Sequence, residues 1–257
     1  MNETILRFET KDRIGEITLN HPEKRNALSR QMLEALRARL LALRGDSAVK
    51  VLLIGSTGPV FSSGHDLREL ESATPEQAES LFALCAETME LLQQIPQPVI
   101  ASVGGLATAA GCQLAASCDM IVASENAAFA TPGVKIGVFC STPAVPLCRA
   151  LPTKKSLEML FTGLPLSASD AERYGMVNRV VPLERLAEES WNLARQIATA
   201  ASSTLALGKR AFYEQLPLSR SAAYEKASRC MVDNVQLPDA REGINAFLTK
   251  RPPVWQD

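Results

Sequence analysis

Two glycine-containing turns, Phe61-Ser62-Ser63-Gly64-His65-Asp66-Leu67 and Gly104-Gly105-Leu106-Ala107-Thr108-Ala109-Ala110-Gly111-Cys112-Gln113-Leu114, each follow an apolar strand pattern and lead into a helical one. A strand that runs straight into a helix leaves main-chain N–H groups undonated at the helix start, where the helix dipole also favours negative charge. Two such donors aimed at one point would form an oxyanion hole for a carbonyl oxygen that gains charge during reaction. One donor of this kind is worth about 2.7–4 kcal/mol in the transition state. Neither turn brings an obvious proton-transfer residue. His65 titrates near neutrality, so its imidazole is a candidate acid or base; the alternative is that only its N–H matters and the ring fills a wall. Asp66 reads as a base or as the cap of a short helix over Leu67 to Glu71, and Glu69 as a solvated carboxylate. Cys112 and Cys140 are candidate nucleophiles only if a cation stabilises their thiolates, and none is close in sequence, so packing is the simpler reading.

Other chemistries fit poorly. Gly104, Gly105 and Gly111 do not give the G-x-G-x-x-G spacing of a dinucleotide site, and Ser62-Ser63-Gly64 lacks the leading glycine of a serine hydrolase elbow. The chain has 257 residues with 46% hydrophobic and 21% charged, and a net charge of −1, which suits one large domain and argues against nucleic acid as a partner. Six cysteines without C-x-x-C spacing, and only His21 and His65 as imidazoles, predict reduced thiols and no metal. Met1 to Thr4 carry no leader pattern and no apolar run reaches membrane-spanning length. A cytoplasmic location is expected, or the mitochondrial matrix if a transit segment has been removed.

The elements that must hold the turns read as follows. Ile5 to Thr10 and Ile14 to Asn20 alternate around Lys11-Asp12-Arg13 as a hairpin, Ser29 caps a helix over Arg30 to Arg44, and Val49 to Ile54 is a buried strand. Thr74-Pro75 opens a helix to about Ile95, Val99 to Val103 is a strand, and Ala109 to Ser117 a buried helix. Asp119 to Ala123 and Ala127 to Ala130 read as further strands. From Thr142 onward the pattern is helical, apart from a strand at Val177 to Val181 and ending with a helix over Asp239 to Lys250. Strands alternating with helices, followed by a helical tail, predict an α/β core with a C-terminal helical extension, divided here at 1–195 and 196–257.

At this point the residues resemble the enoyl-CoA hydratase/isomerase family, the crotonase superfamily, over nearly the whole chain. Arg25-Asn26-Ala27-Leu28, the two glycine turns, Phe129 to Gly137, Leu160-Phe161-Thr162-Gly163 with Ala168 to Val181, and Ala246 to Arg251 are similar to its motifs in order. The resemblance implies a spiral of strand-strand-helix units, a trimer or dimer of trimers, and coenzyme A thioester substrates, with coenzyme A entering as part of the substrate and no separate cofactor. It implies catalytic roles for His65 and Ala110 as main-chain donors to the thioester oxygen and for Gln113 as a polar contact to water or acyl group. Coenzyme contacts are implied for Arg25, Ala27, Leu28, Ser63, Asp66, Leu67 and Arg68, and for Phe247 and Lys250 from a neighbouring subunit. Two glutamates that handle water in family hydratases are replaced here by Gln113 and Gly133, a pattern resembling the enoyl-CoA hydratase domain-containing subgroup. Each lost acid or base removes a factor of about 10²–10⁴ in rate. The implied activity is an atypical enoyl-CoA hydratase of fatty acid metabolism; an acyl-CoA binding protein without turnover and a thioester hydrolase or decarboxylase are the alternatives.

Overall fold

The computed structural model describes residues 5–256, so Met1 to Thr4, read above for a leader, lie outside the described residues. The predicted hairpin forms: β1 (Leu6–Lys11) and β2 (Ile14–Leu19) pair antiparallel and turn at Asp12 and Arg13, whose φ angles are 52° and 62°. Helix α1 (Arg30–Leu43) starts where Ser29 accepts the Met32 N–H, and one face buries Met32, Leu33, Leu36, Leu40 and Leu43.

A long strand, a short strand and a helical segment then recur three times. The first unit is β3 (Val51–Ser56), β4 (Val60–Ser62), α2 (Leu67–Glu71) and α3 (Pro75–Gln94); the second is β5 (Val99–Val103), β6 (Leu106–Thr108) and α4 (Ala110–Ser117). The third is β7 (Met120–Ser124), β8 (Ala128–Ala130), a 3-10 turn over Pro132–Ile136 and α5 (Ser141–Ala150). Next come α6 (Thr153–Thr162), β9 (Leu166–Ser167), α7 (Ala168–Arg173), β10 (Arg179–Val181) and α8 (Leu186–Ala198). Long strands enter one sheet in the order β1-β2-β3-β5-β7-β10, and short strands a second sheet, β4-β6-β8-β9. The sequence reading folds β4 and β6 into the turns, because three-residue strands carry too little alternation to register. The strand predicted over Val177 to Val181 shortens to β10 because Asn178 is engaged sideways, its Oδ1 accepting the Ile121 N–H at 2.8 Å.

The six-stranded sheet has two coats. One face joins α1, α3 and α4 in the main core, through Ile17, Leu52, Ile54, Val99 and Ile121 among others. The opposite face, Ile14, Val51, Leu53, Ile100 and Val122, packs on Leu186, Leu193 and Ala194 of α8. The C-terminal helices α9 (Ser202–Gln215), α10 (Arg220–Gln236) and α11 (Pro238–Leu248) pack on one another, with α9 against α3. Lys209 fastens them to the body: its Nζ pairs with Asp119 Oδ2 at 2.7 Å and donates to the Leu92 and Gln97 carbonyls at 2.6 and 2.8 Å, while Tyr213 donates to Asp119 Oδ1 at 2.7 Å. Among the described residues no helix is long and apolar enough to cross a membrane, and no group of three metal-ligating side chains occurs.

Candidate active site

The first turn is held by the segment before α1. Asn26 is fully buried at φ 51°, a left-handed position that asparagine tolerates, and its side chain accepts the His21 N–H and donates to the Thr57 and Val60 carbonyls, each at 2.8 Å. Ser62 donates to the Asn26 carbonyl at 2.8 Å, the Ser63 N–H donates to the Arg25 carbonyl at 3.0 Å, and the Leu28 N–H to the Gly64 carbonyl at 2.7 Å. His65 closes the lacing, its Nδ1 3.2 Å from the Leu28 carbonyl oxygen. That bond requires the proton on Nδ1 and leaves Nε2 as a bare acceptor. Nε2 is buried without a partner, and the ring meets Phe82 edge-on at 5.4 Å. Burial lowers the His65 pKa, against the upward pull of the Leu28 carbonyl and Glu69.

The second turn lies directly against the first. A Cβ built on Gly64 would sit 2.9 Å from the Ala110 nitrogen, and one on Gly111 would sit 2.3 Å from the Ser62 carbonyl oxygen, so both glycines are required by the approach itself. Gly64 also has φ +82°. Among the described residues, neither the His65 nor the Ala110 N–H donates to a protein acceptor. Ala109, just before α4, has φ 51° and ψ −121°, a conformation costing an L residue about 1–3 kcal/mol and retained where the surroundings over-determine it. Gln113 is buried one turn into α4, its Oε1 4.0 Å from the Cys85 thiol that donates to it.

The third turn is filled by its own chain. A Cβ on Gly133 would meet the Val138 carbonyl oxygen at 2.2 Å and Cys140 Sγ at 2.8 Å, because the segment folds back through the Val138 N–H to Gly133 carbonyl bond of 2.9 Å. Gly163, capping α6, presses on the same turn: a Cβ there would sit 3.0 Å from Pro132 Cα. Gly133 is therefore a packing glycine, and restoring a glutamate at this position is sterically blocked.

Of the other predicted residues, Asp66 caps α2, its Oδ1 accepting the Arg68 N–H at 3.0 Å, which is the cap reading rather than the base. Glu69 is exposed yet not merely solvated, since it accepts the Arg30 N–H at the start of α1 at 3.0 Å. The Leu28 side chain is 0% exposed and lies in the core, and its carbonyl faces His65. Ala27 is buried, Ser63 and Asp66 are partly exposed, and Arg25, Leu67 and Arg68 are exposed around the first turn. Phe247 is 84% exposed near the end of α11, which packs on α9 and α10, and Lys250 follows it at φ 55°. Burial pushes the Cys112 thiol up to about 12 and raises that of Cys140, so both are inert packing thiols.

Thr108 and Thr131 escaped sequence reasoning. Each stands at the end of a short strand just before a turn, and each Oγ1 is buried without a protein partner. The signal was present as a hydroxyl residue at or just after the end of each short strand, with Ser62 the third.

Strand-strand-helix units wound into two sheets, with adjacent glycine turns at their heads, define a crotonase fold. The chain belongs to the enoyl-CoA hydratase/isomerase family, whose model matches residues 9–257. It is 53% identical over 246 residues to the rat protein named enoyl-CoA hydratase domain-containing protein 3, mitochondrial, covering 95% of this chain and 82% of that one. Among solved structures, a Mycobacterium smegmatis enoyl-CoA hydratase superposes with a TM-score of 0.97 at 42% identity, over 99% of this chain and 100% of the other. The human enoyl-CoA hydratase domain-containing protein 3 gives 0.93 at 49%, over 98% of this chain and 100% of the other.

Proposed function

We propose that the protein binds acyl-CoA thioesters and stabilises an enolate on the thioester oxygen through the N–H groups of His65 and Ala110. The observation that carries this is the contact of two turns whose amides have no protein acceptor, the Ala110 nitrogen lying 2.9 Å from where a Gly64 Cβ would be. Such donors act in a largely dry site and need no reorganisation as charge develops. Arg25, Ala27, Ser63, Asp66, Leu67 and Arg68 surround that point and would meet the pantetheine and nucleotide; Phe247 and Lys250 would reach it from a second copy. The exposed Tyr224, Met231, Val232 and Val235 of α10 support assembly of the 196–257 region into a homotrimer or dimer of trimers.

The closed third turn favours chemistry other than ordinary hydration. Without either glutamate, proton transfer falls to His65 Nε2, and Thr108 and Thr131 can hold a water with their Oγ1 atoms. Coenzyme A arrives with the substrate, in fatty acid metabolism, in the cytoplasm or in the mitochondrial matrix, the rat relative being named as mitochondrial.

Calorimetry with crotonyl-CoA and butyryl-CoA, followed by mass analysis of a thioester panel, tests the reading. Saturable binding with a slow gain of water at the double bond supports an atypical hydratase. Free acid or loss of carbon dioxide supports the hydrolase or decarboxylase, unchanged thioester the carrier, and absence of affinity for every acyl-CoA overturns all of them.

A further inference from the structure

The face of the six-stranded sheet that packs on α8 changes character along its strands. On that face β2 runs Ile14, Glu16, Thr18; β3 runs Val51, Leu53, Gly55; and β5 runs Ile100, Ser102, Gly104, so each is apolar where α8 covers it and small or polar toward its carboxyl end. The carboxyl ends of parallel strands are where open α/β sheets hold ligands. Here the change leaves a cavity of about 270 Å³ between the sheet and α8. That is room for about nine waters at about 30 Å³ each.

Gly55 makes the opening: a Cβ there would have 3.8 Å to Glu16 Oε1 and 4.0 Å to Ser102 Cβ, so a side chain would fit and its absence is what leaves the space. Ser190 of α8, 1% exposed, donates to the Ser102 hydroxyl at 2.9 Å on the wall. Trp191 donates its indole N–H to Glu16 Oε2 at 3.2 Å, leaving Oε1 with no hydrogen bond among the described residues. Exposed Leu183 and Ala187 frame the mouth.

Among the described residues Glu16 is the only charged one lining the cavity, and no lysine or arginine pairs with it. Burial raises its pKa, the Trp191 N–H opposes this, and Glu9, its cross-strand partner on β1, adds to it. Arg195 of α8 stacks on the Trp191 ring at 5.5 Å but forms no ion pair with Glu16, so the half-buried carboxylate is incomplete: partial desolvation is unfavourable and a positive partner would offset it. An anion would meet the carboxylate, and a neutral apolar ligand would leave it unpaired.

We propose that this cavity is a binding site for a small organic cation of the primary alkylammonium class, its ammonium on Glu16 and its alkyl stem along Trp191 and Leu186. The site lies on the α8 face of the sheet, with Gly104, the first residue of the second glycine turn, on its wall, and does not depend on the acyl-CoA reading.

Calorimetry of the intact protein with n-propylammonium chloride tests it, with sodium propionate and 1-propanol as matched controls. Saturable one-site binding of propylammonium is expected, at least tenfold weaker in Glu16→Gln, and absent from both controls. Gly55→Val fills the space while keeping the charge and is expected to abolish binding too; circular dichroism shows whether each variant is folded. Propylammonium should also raise the thermal midpoint of the parent and leave that of Glu16→Gln unmoved. No saturable heat in the folded parent, binding undiminished in both variants, or equal binding of 1-propanol would overturn the proposal.

Discussion

The three units of the spiral place three turns in equivalent positions, and two of them differ from the third. After β4 and β6 the turns lean on each other and leave the His65 and Ala110 amides without protein acceptors. After β8 the chain curls over itself, with Val138 and Cys140 occupying the space a side chain on Gly133 would need. Glycine appears in all three for one steric reason, close approach, and with opposite effect: in the first two it brings open donors together, and in the third it shuts a pocket wall. The same residue type in the same topological place therefore says nothing about chemistry until the neighbour it admits is known.

The largest effect is expected at the contact between the open turns. Gly111→Ala pushes a methyl to 2.3 Å from the Ser62 carbonyl oxygen, so the turns must part. Crotonyl-CoA affinity in calorimetry should fall, and turnover should drop by at least a hundredfold, in line with about 2.7–4 kcal/mol per misplaced donor in the transition state. Unchanged affinity in a folded variant would mean that the contact does not shape the site.

The closed turn gives the next. Gly133→Glu should lose about 3 kcal/mol to overpacking. That is a fall of roughly 6–12 °C in thermal midpoint. Adding Gln113→Glu should not create crotonyl-CoA hydration, although the replaced glutamates taken alone would suggest repair. A stable double variant that hydrates crotonyl-CoA faster than the parent would show that the third turn opens.

Asn26→Ala should cost a similar or slightly smaller amount, about 2–3 kcal/mol, because the His21 amide and the Thr57 and Val60 carbonyls lose their partner. Denaturant unfolding measures it, and a change under about 0.5 kcal/mol, the scale of a surface substitution, would show that the first turn holds itself.

The smallest effect concerns pH. Burial depresses the folded pKa of His65 below its unfolded value, so the native state resists a proton that the unfolded chain accepts. Stability from this residue is intact above pH of about 6.5 and declines as pH falls toward the depressed value. His65→Gln should remove that decline, narrowing the gap between thermal midpoints at pH 7.5 and 5. An unaltered gap would place the acid sensitivity elsewhere.

Much of this architecture was readable in the residues. Ser29, Asp66 and Thr74 start helices where their side chains can accept amide protons, and Thr74 with Gln77 forms a full capping box. What escaped was set by approach in space. The pairing of β4, β6 and β8 is spread over segments too short to show a period, Asn26 acts on carbonyls more than thirty residues away, and the space at Gly133 is taken by Val138 and Cys140.

The most direct measurement is infrared difference spectroscopy of crotonyl-CoA labelled with ¹³C at the thioester carbonyl, taken at saturation on the protein. Polarisation by the His65 and Ala110 amides should move the carbonyl stretch to lower frequency than in water, and Gly111→Ala should return it toward the free value. A carbonyl band unshifted in the saturated complex would contradict the account.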